Sequence, residues 1–148
     1  MGKHIKTSIS MYLKENTVNS TKWYHGSKFE FESFDDFKTK GPSALGIFAT
    51  SDKTLAEIFG DYVYEVELNV KNLYKITMDY WDDIRGEHWN NTSYFENMRT
   101  RLMGKGYDGV YIGSRSFTTT GDLVFKDGAM IVVFDKKDIN IIDKSKNI

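Results

Sequence analysis

Seven residues in the middle of this chain, Tyr62-Val63-Tyr64-Glu65-Val66-Glu67-Leu68, alternate in polarity. A period of two turns successive side chains to opposite sides, so this run predicts a half-buried strand with Glu65 and Glu67 on its solvent face. Such a strand cannot stand alone; it needs neighbours to pair with and a layer to cover its apolar side. The rest of the sequence supplies short candidates. Lys22 to Tyr24 begins a strand that breaks at Gly26, and Asp108 to Ile112, Leu123 to Phe125, Met130 to Phe134 and Ile139 to Ile142 read as further strands, Asp108-Gly109 being a turn into the first of these. A helix is expected from about Ser51, with Thr50 or Ser51 as N-cap and Asp52 in the first turn, and Gly60 stops it. Leu55, Ile58 and Phe59 fall on one face of that helix. Tyr80 to Met103 reads as helix broken at Gly86 and at Asn90-Asn91. Phe95, Met98 and Leu102 form the buried stripe of its second piece, and Gly104 ends it. Strand, helix, strands, helix, strands in that order predicts an α+β domain with small antiparallel sheets and few helices.

Between these elements the chain is irregular. Phe29, Phe31, Phe34 and Phe37 predict a loop pinned to the core by rings, and Gly41-Pro42 predicts a turn. Gly113 to Gly121, rich in Ser, Thr and Arg, reads as a mobile loop. Residues 1–22 carry Lys3, Lys6, Lys14 and Lys22 against Glu15 alone and read as an N-terminal extension to a domain covering 23–148, with a first packed helix as the alternative. Trp81 and Trp89 are expected to pack a helix.

Composition narrows the function classes. Twenty basic and twenty-one acidic residues leave a net charge of −1, so no global field attracts nucleic acid. The absence of cysteine removes disulfides, thiol nucleophiles and cysteine-ligated zinc. His4 and His88 have no partner at metal-ligand spacing, so no metal is expected. No apolar run approaches the roughly 20 residues of a membrane span, and the first residues lack the apolar core of a secretory signal, so no membrane association is expected. Lys6 stands where myristoylation requires Ser or Thr, and the sequon Asn91-Thr92-Ser93 reads as idle without a signal peptide.

One constellation carries chemistry. Tyr24-His25-Gly26-Ser27 sets an imidazole beside an open backbone turn; Gly46-Ile47-Phe48-Ala49-Thr50 offers an aromatic ring about twenty residues on; Phe59 offers another at a helix end. Two aromatic faces and an imidazole can grip a flat cationic heterocycle and its sugar. Each residue also has a plainer reading, His25 as a turn residue and the phenylalanines as core.

In order and spacing, Trp23-Tyr24-His25-Gly26-Ser27, then Gly46-Ile47-Phe48-Ala49-Thr50, then an aromatic on the next helix, resembles the ADP-ribosyltransferases, in the diphtheria-toxin and poly-ADP-ribose-polymerase-like branch that includes phage and polyvalent-protein versions. Glu65 to Asn72 and the tail Val132-Val133-Phe134-Asp135 with Asp138-Ile139 are similar to the phage-type members, and the likeness spans residues 22–142. It implies a split β-sandwich core with a few short helices, NAD as cosubstrate, and cleavage of the ribose–nicotinamide bond through an oxocarbenium-like state. By position it implies that His25 holds ribose hydroxyls, that the Gly26 backbone pairs with the carboxamide, that Phe48 stacks on the nicotinamide with Phe59 on its other side, and that Ser27 and Thr50 offer hydroxyls to the ligand or the neighbouring turn.

The sequence departs from that pattern in two places. Met130 stands where the family places its glutamate, and Ala56 stands near a helix serine for which Thr54 can substitute. A carboxylate must then come from elsewhere, Asp127 first and Asp122 second. The function expected is a mono-ADP-ribosyltransferase acting on a macromolecule, protein before nucleic acid, as a phage or mobile-element effector. It would work in the cytoplasm of a bacterial host or travel in a phage particle, and Ile9 to Glu15 resembles the leader segments of internal phage proteins. The rival readings are an inactive fold that inhibits a host factor by binding, an NAD glycohydrolase, and an enzyme acting on a nucleic-acid end. Oligomeric state is left open.

Overall fold

The computed structural model describes residues 22–34, 40–113 and 129–146. Seven strands form one sheet: β1 (Trp23–Ser27), β2 (Ile47–Thr50), β3 (Tyr62–Leu68), β4 (Leu73–Thr77), β5 (Gly109–Gly113), β6 (Met130–Val133) and β7 (Ile139–Lys146). Among the described residues three α-helices accompany them, α1 (Lys53–Ile58), α2 (Met78–His88) and α3 (Thr92–Gly104), with 3-10 turns at Gly41–Leu45 and Lys136–Asp138. The protein is thus α+β with few helices. The spatial order is β4-β5-β6-β2-β1-β3-β7, one sheet rather than several small ones.

Every neighbouring pair is antiparallel except β4 and β5. That exception follows from the connection: α2 and α3 lie between β4 and β5 and carry the chain back to the same end of the sheet. β4 was not expected from the sequence. Leu73-Tyr74-Lys75-Ile76-Thr77 is short, and its alternation is not contrasted by charge on both sides of each apolar residue. β7 runs to Lys146, past the expected Ile142, and pairs along the whole length of β3 with a register shift between Glu65 and Val66. Leu123 to Phe125, residues 1–21 and the loop residues beyond Gly113 lie outside the described residues.

β5 and β6 are buried throughout because both of their sides are covered. Tyr111, Ile131 and Val133 point into a cluster that also takes Trp23, Tyr64, Val66 and Leu68 from the other end of the sheet. Val110, Ile112 and Val132 point the other way, onto Trp81 and Ile84 of α2 and Phe95, Met98 and Leu102 of α3. The expected stripe on α3 is therefore its buried face. Gly86 does not break α2, which runs through it; the break falls at 89–91, where Asn91 accepts from Tyr94 N–H and caps α3. Trp89 is 65% exposed at that break and packs no helix, contrary to expectation. Gly41 (φ +62°) lies so close to it that a side chain would strike the Trp89 carbonyl, which ties the 3-10 turn to the helix junction.

The aromatic loop after β1 is pinned only in part. Phe31 stacks on Tyr64 with ring centroids 4.3 Å apart, and Phe34 joins the core, but Phe29 is 77% exposed, and Phe37 lies outside the described residues. Asp108 does more than turn the chain. Its two carboxylate oxygens accept from Lys71 N–H (2.6 Å) and Asn72 N–H (2.9 Å), which fixes the approach to β4 beside the start of β5. Asp108→Ala should therefore destabilise the fold by about 1–3 kcal/mol, the cost of two backbone donors losing a charged acceptor. Urea unfolding should show a lower midpoint at unchanged m-value.

Candidate functional site

β1 and β2 share a single registered pair, Tyr24 with Thr50, whereas β1 stays in register with β3 from Trp23 to Ser27. The sheet is thinly bonded at this seam, and a cavity of about 500 Å3 opens beside it. Its walls come from β1 and the residues just past it, the Gly41–Leu45 turn, β2, α1, α2 and the first residue of β6. His25, Gly26, Ser27, Phe48, Thr50 and Phe59 all line it, so the structure brings these six together. Asp122 and Asp127 lie outside the described residues.

His25 spans the seam. Its Nδ1 lies 2.6 Å from the Phe48 carbonyl oxygen on β2. A carbonyl can only accept, so Nδ1 carries the proton. The imidazole is 5% exposed and packs edge-on against Phe34, with Phe31 and Tyr64 beyond. Burial pushes its pKa below the ordinary 6.5, and the bond to Phe48 opposes that only in part. The ring is therefore neutral at neutral pH, with Nε2 as an acceptor. Nε2 is itself buried, so a ligand hydroxyl reaches this acceptor only through a local shift of the packing around the ring.

α1 stands against β1 because Gly26 has no side chain. A Cβ there would sit 1.8 Å from the Ala56 carbonyl oxygen. This approach corrects two expectations about α1. Its N-cap is Asp52, whose side chain accepts from Thr54 N–H, rather than Thr50 or Ser51. Its buried residue is Ala56, while Ile58 is 73% exposed and Phe59 51% exposed. Of the expected face only Leu55 packs against the core, and Ile58 and Phe59 do not. Phe59 instead presents its ring to the cavity and solvent, which has a hydration cost that a bound ring would relieve. Phe48 is half-buried and leans on Trp81 of α2, centroids 5.5 Å apart.

The two hydroxyls are engaged by the fold. Thr50 donates to the Ala129 carbonyl (3.0 Å) and accepts from Asp52 N–H (3.2 Å), joining β2 to the start of β6 and to α1. Ser27 accepts from Phe29 N–H (3.1 Å). Met130 pairs with Thr50 across β6 and β2 and lines the cavity, so an apolar thioether stands at the head of that strand.

α2 contributes what sequence reasoning did not find. Met78, Trp81, Asp82 and Arg85 line the cavity, and Asp82 is the one carboxylate doing so among the described residues. Arg85 Nη2 reaches Asp82 Oδ1 at 3.0 Å. The spacing i, i+3 was visible in the sequence, but it reads equally as an ordinary solvated pair. The placement of α2 over the seam is what brings this pair to the cavity wall.

Against known families, one sequence profile, that of the ADP-ribosyltransferase in polyvalent proteins, matches residues 19–147. The chain belongs to this ADP-ribosyltransferase family. Among solved structures, the crystal structure of an anti-CRISPR protein is similar at 15% identity, covering 85% of this chain and 99% of that one with a TM-score of 0.42. A comparison with curated proteins finds no match.

Burial of His25 gives the ADP-ribosyltransferase domain a pH signature. Above the unfolded pKa of 6.5 the imidazole is neutral in both states and adds no pH dependence. Below it, the unfolded chain takes up a proton that the folded chain resists, so stability falls as pH drops from 6.5 toward the lowered folded pKa. Thermal midpoints taken from pH 7.5 down to 5 should show this fall, and His25→Asn should remove that part of the slope.

Proposed function

We propose that the cavity binds NAD and that the protein transfers ADP-ribose from it to a macromolecule, a protein rather than a nucleic acid. One observation carries the reading: a neutral imidazole fixed as an acceptor, a glycine backbone and two aromatic rings converge on a single cavity of about 500 Å3. Family membership supports NAD as the cosubstrate.

The dinucleotide would place its nicotinamide between Phe48 and Phe59, where two ring faces suit a cationic pyridinium. The Gly26 backbone would pair with the ligand's carboxamide, and His25 Nε2 would accept from a ribose hydroxyl. The C1′–N bond then breaks, its electron pair passing to the pyridinium nitrogen, so nicotinamide leaves neutral. Positive charge develops on the ribose, the acceptor's nucleophilic atom bonds to C1′, and the acceptor's proton passes to a carboxylate. Met130 cannot take that proton. Asp127 is the proposed carboxylate and Asp122 the alternative.

The same reading takes the sheet as a split sandwich with halves β4-β5-β6-β2 and β1-β3-β7. The single registered pair at the seam and a core cluster fed from both halves support it. It also places the protein as a phage or mobile-element effector acting within a bacterial host. A second reading is favoured by Met130 itself: with an apolar group at the head of β6, the domain binds NAD or a host factor without turnover.

Labelled NAD incubated with the protein and a bacterial lysate separates these readings. Labelled macromolecule is the expected outcome; free ADP-ribose alone would indicate a glycohydrolase, and bound but intact NAD the inert binder. His25→Ala should weaken NAD binding by about tenfold and abolish labelling. Asp127→Asn should leave binding unchanged and lower the rate by about two orders of magnitude or more. Asp122→Asn should do so instead if that residue is the carboxylate.

A further inference from the structure

The charges on the cavity wall point to a part of the ligand that His25, Phe48 and Phe59 do not address. Among the described lining residues the groups charged at neutral pH are Lys28, Asp82 and Arg85, since burial keeps His25 neutral. Most of the remaining wall is apolar. A nicotinamide ribose offers one positive charge and no negative one, and needs neither cation. A dinucleotide adds a pyrophosphate with two negative charges.

We propose, resting on the NAD reading above, that Arg85 engages the pyrophosphate of the dinucleotide and that Asp82 is its positioning residue. Arg85 lies one turn along α2 from Trp81, whose ring packs beside Phe48, so the guanidinium sits on the helix that backs the aromatic subsite. A guanidinium carries five N–H donors in a planar fork, and the single bond to Asp82 leaves most of them for a second anion. The Arg85 side chain is half exposed, so the ion pair with Asp82 contributes little to stability. Its effect is on direction. A long side chain held at one end by a neighbour one turn back loses less freedom when a phosphate binds. Lys28, one residue past β1, is exposed and supplies a point charge without that fork. Arg85 therefore sets the preference for a dinucleotide over its nucleoside, while the aromatic subsite serves both.

Calorimetric titration of wild type, Arg85→Gln, Arg85→Lys and Asp82→Asn tests this, using two probes, a non-cleavable carbocyclic NAD analogue and nicotinamide riboside. Asp82→Asn should weaken the analogue less than Arg85→Gln does and leave the riboside unchanged, and an analogue affinity equal to wild type would remove the positioning role. Arg85→Gln should weaken the NAD analogue by about tenfold or more and leave the riboside unchanged. Arg85→Lys should recover part of the loss, and added salt should narrow the gap between wild type and Arg85→Gln. Equal affinity of wild type and Arg85→Gln for the NAD analogue would overturn the assignment while leaving the NAD reading intact. Equal loss for both probes would overturn it too, because the defect would then lie in the aromatic subsite or the fold. A wild type that binds neither probe would overturn the NAD reading and this inference with it.

Discussion

The hydrogen bond from His25 Nδ1 to the Phe48 carbonyl is the contact on which the site depends. β1 and β2 meet in one registered pair, so their ladder cannot hold the two strands in place unaided. A buried side chain does that work and in doing so fixes its own tautomer. One bond thereby ties the two strands across the seam and sets the acceptor character of the other ring nitrogen. Because the imidazole sits among Phe31, Phe34 and Tyr64, its neutrality follows from the packing of the loop after β1 as much as from the site itself.

The other cavity residues are held by similarly local arrangements. Gly26 admits α1, which brings Phe59 to the cavity and turns Ala56 inward. Thr50 ties β2 to Ala129 and to the start of α1, so its hydroxyl serves the frame of the cavity. Asp108 anchors the turn into β4, and the helices leaving β4 then lay Trp81, Asp82 and Arg85 along the opposite boundary. The site is thus assembled from the strand ends and helix starts that the sheet order brings to one seam.

Much of this was legible in the sequence. The alternation in 62–68 gave β3, the stripe Phe95, Met98 and Leu102 gave the buried face of α3, and the spacing of His25-Gly26, Phe48 and Phe59 identified residues that meet at one cavity. The failures have physical reasons. Helical periodicity at Leu55, Ile58 and Phe59 suggested a core face, but a six-residue helix is placed by one close approach at Gly26 and not by its own stripe. β4 is a short edge strand whose parallel partner lies more than thirty residues away, which no local pattern records. Asp82 and Arg85 were not singled out in the sequence, because an i, i+3 ion pair comes to line a cavity only through where α2 lies.

Nitrogen-15 NMR of the His25 ring is the most direct test of the central claim. The account predicts a neutral Nδ1–H tautomer at pH 7, with the Nε2 resonance shifting when a non-cleavable NAD analogue is added. A protonated or Nε2–H ring, or an Nε2 signal indifferent to saturating analogue, would contradict it.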